Sequence, residues 1–155
     1  MQLKKLDLSF YNDHTSLTNA LDFENGAWTS NKTRGYGIVL VSINGLTFGI
    51  PLRSHIKHDA CYIVERATVQ GEKGMGLDFS KAVLLSKPSY VSSQNFLVNS
   101  SRHNRLKGKS HYITAKFEKY IERYVHAVKA NDTHILQSNS YRFSTLVNYH
   151  NELNI

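Results

Sequence analysis

Gly37-Ile-Val-Leu-Val-Ser-Ile43, then Asn44-Gly45, then Leu46-Thr-Phe-Gly-Ile-Pro-Leu52 is the stretch that decides the fold. Two apolar runs, the first rich in β-branched residues, flank an Asn-Gly pair. That pair tolerates the positive φ that both central residues of a tight hairpin turn need. The reading is a β-hairpin. Pro51 cannot donate a ladder hydrogen bond, so the second strand is expected to end, or to lie at an edge, at that point. Whatever follows Leu52 is launched from a rigid strand end, a good place to hold chemistry.

Upstream, Leu6, Leu8 and Phe10 alternate with polar neighbours and predict a strand. Residues 13–23 carry Leu17, Ala20 and Leu21 at helical spacing, with Asp13 or Thr15 as N-cap. Downstream, 60–64 reads as a strand, the glycine-containing 69–76 as a loop, and 77–85 as a strand pair or one bent strand. Residues 86–101 give no clear signal. From Ser110, a reasonable N-cap, Ile113, Phe117, Tyr120, Ile121, Tyr124, Val125 and Val128 fall on one helical face. The opposite face is charged and its Glu118–Glu122 and Lys119–Arg123 spacings are like-charge pairs, which suits a solvated surface. Residues 143–153 read as a short terminal helix. The whole predicts an α+β fold, one compact domain over residues 1–155. Its sheet is curved and mostly antiparallel, with helices around it and a long helix near 110–131.

At 155 residues the chain can bury a core without staples, and its one cysteine, Cys61, lies in an apolar run where a small buried hydrophobe fits. A lone cysteine fits a reducing compartment, and residues 1–8 lack the apolar core of a signal peptide. The apolar run 37–43 is too short to span a bilayer. The expectation is a cytoplasmic protein with no membrane partner. The net charge of +7 favours a polyanion, and nine tyrosines offer rings that can stack on bases. No Gly-rich phosphate loop, Cys-x-x-Cys pair or His-Glu-x-x-His helix is present, and the twelve acidic residues are scattered singly. No cofactor and no metal are expected.

One segment concentrates chemistry. Arg53, Ser54, His55, Lys57 and His58 follow the second hairpin strand, and Lys32 and Arg34 precede the first. Hairpin register makes those two ends neighbours. The set suits RNA cleavage without metal: a base takes the 2′ proton, an acid protonates the 5′ leaving oxygen, and cations hold the charge of the phosphorane. Histidine can serve as base or acid, and arginine grips non-bridging oxygens bidentately. The plainer alternative is a set of exposed loop histidines, a turn serine and surface cations. A Ser/His hydrolase is weaker still, because Ser54 lacks a Gly-x-Ser-x-Gly setting. The basic run Arg102, Arg105, Lys107 and Lys109 reads either as a disordered linker or as an RNA-gripping stretch at the long helix's N-terminus.

Gly37-Ile-Val-Leu40, the turn, and Pro51-Leu-Arg-Ser54 with Lys57 and His58 resemble the core of the type III toxin–antitoxin endoribonucleases. These are the ToxN and AbiQ proteins, with the TenpN subgroup nearest. Gly76-Leu-Asp-Phe-Ser-Lys81, the helix from Tyr112 to Val-Lys-Ala-Asn131, and Phe143-Ser-Thr-Leu146 look similar too. The resemblance covers most of the chain through weak motifs in the right order.

It implies a Kid/MazF-like fold and metal-independent cleavage leaving a 2′,3′-cyclic phosphate and a 5′-OH. It also implies an RNA antitoxin of pseudoknot repeats in a cyclic toxin–RNA assembly, and a role in phage defence by abortive infection or in plasmid maintenance. Ser54 matches the family's active-site serine, and Arg53 stands where threonine is frequent. The family's next lysine meets Ile56, so Lys57 or His55 has to cover it, which leaves general acid and base open. A lysine ahead of the first strand falls at Thr33, and Arg34 rather than Lys32 is the expected substitute. RNA binding is expected at Lys32, Arg34, Arg53, Lys81, Arg102, Arg105, Lys107 and Lys109. The rival readings are a non-catalytic RNA- or DNA-binding module on the same cations, and a structural domain whose charge only keeps it soluble.

Overall fold

The computed structural model describes residues 1–21, 23–24, 27–28 and 37–155, with the side chain of Glu24 left out. Lys32 and Arg34 lie outside the described residues. The hairpin forms as expected: β4 (Ile38–Ile43) pairs with β5 (Leu46–Ile56) in a register that closes on Ile43 opposite Leu46. Asn44 and Gly45 take φ of 50° and 82°, which is what the two-residue turn demands.

Pro51 does not end the strand. The Leu52 amide donates to Gly37 on the β4 side, so the Pro51 nitrogen faces the other way. There β5 changes partner, from β8 (Val83–Leu84) at Phe48 and Gly49 to β7 (Gly74–Asp78) at Leu52 and Arg53. The missing N–H falls at the join between two neighbours.

Around the hairpin the sheet runs β6 (Cys61–Arg66), β7, β5, β4, β1 (Lys4–Leu6), β9 (Val91–Asn95), with β8 also on β5. Every pairing is antiparallel and the path does not close into a barrel. A separate two-residue pair joins β2 (Phe23–Glu24) to β3 (Ala27–Trp28).

The expected long helix is α3 (Ser110–Lys129). It buries Ile113, Phe117, Tyr120, Ile121 and Tyr124 against Val39, Val41, Phe48 and Ile50 of the sheet, with Phe48 and Phe117 edge to face at 5.4 Å. Lys109, not Ser110, holds its cap position. The other core cluster gathers Ile38, Val83 and Leu85 with Phe10 and Tyr11 of α1 (Leu8–Asp13).

That helix corrects the expected alternating strand: Asp7 accepts from the Ser9 amide and starts a helical turn at Leu8, so Phe10 and Tyr11 are both buried. Residues 14–20 then run in bends and turns rather than the helix expected over 13–23. The basic run is not a disordered linker, since α2 (Ser100–Leu106) buries Leu106 within it. After α4 (Thr133–Leu136), the expected terminal helix is only a 3₁₀ turn, Thr145–Asn148.

Candidate active site

Beyond Leu52, β5 continues to Ile56 and its pairing to β7 slips between Arg53 and Ile56. His55, within that bulge, takes φ +57°. Bulges of this kind re-aim side chains, and here Arg53, His55, Lys57 and His58 line one open cleft of about 660 Å³. Glu72, Ser80, Lys81, Asn139, Arg142 and Phe143 complete it.

Behind these lining residues lies Asp78, fully buried at the end of β7. Arg53 is paired with Gly76, so Asp78, two residues on, shares its sheet face. The Arg53 Nη1 donates to Asp78 Oδ2 at 2.8 Å. Oδ1 accepts from the Ser80 amide at 3.0 Å and the Ser80 hydroxyl at 2.6 Å, and stands 3.2 Å from His58 Nε2. Burial by itself pushes the Asp78 carboxyl up. The hydrogen bonds from His58, Ser80 and Arg53 outweigh it and hold the group below the ordinary carboxylate value.

His58, Asp78 and Ser80 are the residue types of a serine hydrolase wired differently. Asp78 and the Ser80 hydroxyl, at 3.3 Å, both meet Nε2, while Nδ1 accepts the Ala60 amide at 3.2 Å. The imidazole has no free lone pair to take a proton from the serine, whose own hydrogen goes to Asp78. His58 and Ser80 therefore position Asp78, and Asp78 positions Arg53.

His55 is wired to act. Its Nδ1 is 3.0 Å from Glu72 Oε2, and a carboxylate can only accept, so the proton of the neutral ring sits on Nδ1. Nε2 keeps its lone pair, on a side chain 74% exposed in the cleft. Across the cleft, the Lys81 ammonium donates to the carbonyls of Asn19 at 2.8 Å and Phe143 at 2.9 Å. Burial lowers its pKa, Asp78 opposes the shift, and Arg53 adds to it. One of its three protons remains for the cleft.

Several expected residues fall elsewhere. Ser54 is exposed and is not among the cleft-lining side chains, because strand alternation turns it away from Arg53. Arg102 is held by Glu65 at 2.9 Å; Arg105, Lys107 and Lys109 are exposed, and none of the four lines the cleft. Cys61 is buried, and burial pushes its thiol up to about 11, far from a nucleophile's range.

Sequence reasoning did not single out Asp78, Glu72, Ser80, Asn139 or Arg142. The available signal for the first was Asp78-Phe-Ser80 after a strand, the spacing of an aspartate that caps its own turn. Among the described residues no three His, Cys, Asp or Glu side chains gather to hold a metal, and no helix is long and apolar enough to cross a membrane. No protein-family model matches the chain, and no curated protein or solved structure is significantly similar to it.

Proposed function

We propose that the cleft is the active site of a metal-independent endoribonuclease, and that the chain is the toxin of an RNA-antitoxin pair. The observation that carries the first part is the pairing of a wired, exposed imidazole with an anchored guanidinium in one cation-lined cleft. The carboxylate in the cleft wall, Glu72, is engaged by His55, and the buried one behind it, Asp78, by Arg53, His58 and Ser80. The remaining donors, Arg53, Lys57, Lys81 and Arg142, suit an anion. The toxin role and the antitoxin partner rest on the sequence resemblance.

The chemistry follows from the wiring. His55 Nε2 takes the 2′-OH proton while O2′ bonds to phosphorus, and Glu72 holds the imidazolium that forms. Arg53, with one amine fixed by Asp78, offers its remaining N–H groups to the non-bridging oxygens as charge builds on the phosphorane. The P–O5′ bond breaks and O5′ takes a proton from Lys81, whose lowered pKa makes it a stronger acid than a solvent-exposed lysine. The products are a 2′,3′-cyclic phosphate and a 5′-OH, and DNA, without a 2′-OH, is not cut.

The test is cleavage of RNA in EDTA by the wild-type chain, His55→Ala and Ser54→Ala, with end-group analysis. A His55→Ala rate lower by about 10²–10⁴-fold is expected for loss of a general base. Ser54→Ala is expected to change the rate far less. RNA binding with no cleavage of any RNA makes the cleft a binding site only, and cleavage that needs added metal removes this mechanism.

A further inference from the structure

We infer that Phe143, backed by Arg142, is a nucleobase-stacking platform in the cleft, which holds the base next to the phosphate. The inference deepens the reading above and rests on it for the presence of a nucleic-acid strand in the cleft. Phe143 is 55% exposed, an unusual state for a phenyl ring when Phe10, Phe48, Phe79 and Phe117 are almost wholly buried. Its side chain is among those lining the cleft. The Arg142 guanidinium carbon sits 4.6 Å from the ring centroid and covers one face. The ring thus offers one flat apolar face, backed by a cation, in a cleft otherwise lined with polar and charged groups.

Hydrogen bonds and a ring stack hold the segment that carries the ring. The Arg142 amide donates to Ser138 at 2.9 Å, the Ser144 amide to Tyr141 at 3.0 Å, and the Tyr120 hydroxyl to the Ser140 carbonyl at 2.9 Å. Tyr141 stacks on Tyr120 of α3 with centroids 4.6 Å apart. The Phe143 carbonyl accepts from Lys81, so the cation that would hold a phosphate and the ring that would hold its base are joined through one residue. The Asn139 amide, on the same wall, offers a donor and an acceptor to a base edge. Every base has a π face, so the ring supplies affinity and the amide supplies preference.

The test measures binding apart from cleavage. A labelled 2′-O-methylated tetranucleotide, which cannot be cut by 2′-OH attack, is titrated by anisotropy alongside an abasic strand of the same length. The full chain, Phe143→Ala and Phe143→Trp are compared. For the wild type the base-bearing strand is expected to bind about tenfold or more tighter than the abasic one. Phe143→Ala is expected to remove that gap while leaving abasic binding unchanged, and Phe143→Trp to keep it. Equal affinity for the two strands, or a gap that survives Phe143→Ala, overturns the inference. So does a change in self-association of Phe143→Ala with no base effect, which assigns the ring to a protein contact. Base-dependent binding by a chain that fails to cut the unmethylated strand supports the platform and removes only the ribonuclease reading.

Discussion

Asp78 shows how much one buried carboxylate can organise. It is fully buried, yet four donors on three residues converge on its two oxygens. A charge this deep is tolerated only when so satisfied. Its folded-state pKa is lowered, so its contribution to stability is fully present above the unfolded carboxyl's 3.8 and is lost as pH falls below that value. Asp78→Asn is therefore expected to lower stability at neutral pH by about 2–3 kcal/mol, the worth of hydrogen bonds to a charged group. Its melting temperature should then fall less than the wild type's between pH 4 and pH 2. Thermal melts at matched salt across that range check both parts, and parallel acid limbs would mean that Asp78 is not the group. The run from Arg53 to His58 was legible as a candidate site because its residue types are dense in sequence. Asp78, Glu72 and Arg142 were not, since a lone acid or cation gains meaning only from what the fold brings beside it.

Between β6 and β7 the close approach of two strands explains a glycine. A Cβ at Gly76 would press into the Tyr62 carbonyl oxygen and the Ile63 backbone, atoms that cannot swing away. Gly76 is paired with Arg53 on its other side, so a shift there moves the guanidinium as well. Gly76→Ala is expected to cost about 1–3 kcal/mol, as overpacking does, and to lower RNA cleavage more than RNA binding. Denaturant melts and paired kinetic and affinity measurements separate the two effects. Gly45→Ala is a useful contrast, since nothing lies near its Cβ and only its φ of +82° resists the change. At this scale the β4–β5 hairpin and α3 were legible, because an Asn-Gly turn and a long apolar stripe are local and unambiguous. Leu8–Asp13 was not. Six residues are too few to display a helical period, and the apolar alternation of Leu6, Leu8 and Phe10 imitates a strand. What decides it is one cap bond from Asp7 and burial of two adjacent aromatics against Tyr90 and Trp28.

Over the whole molecule the charge of +7 is spread on separate surfaces. Arg53, Lys57, Lys81 and Arg142 face the cleft, while Arg105, Lys107 and Lys109 are exposed in and after α2, outside the cleft lining. A short strand seated in the cleft meets only the first set, whereas a longer RNA can reach both. Each phosphate contact to single-stranded RNA contributes about −0.7 to the slope of log affinity against log salt. A tetranucleotide carries three phosphodiesters, so full contact with the cleft cations gives it a slope of about −2. The double substitution Lys107→Ala with Lys109→Ala is expected to leave that slope unchanged. With an RNA of several tens of nucleotides the wild-type slope should be steeper, and the same double substitution should flatten it by about 1.4. Anisotropy titrations at several salt concentrations, on 2′-O-methylated strands of both lengths, read all four slopes. If the long strand's slope is indifferent to the substitutions, Lys107 and Lys109 make no contact with the RNA. If the tetranucleotide's slope changes as well, the two cationic sets act as one field.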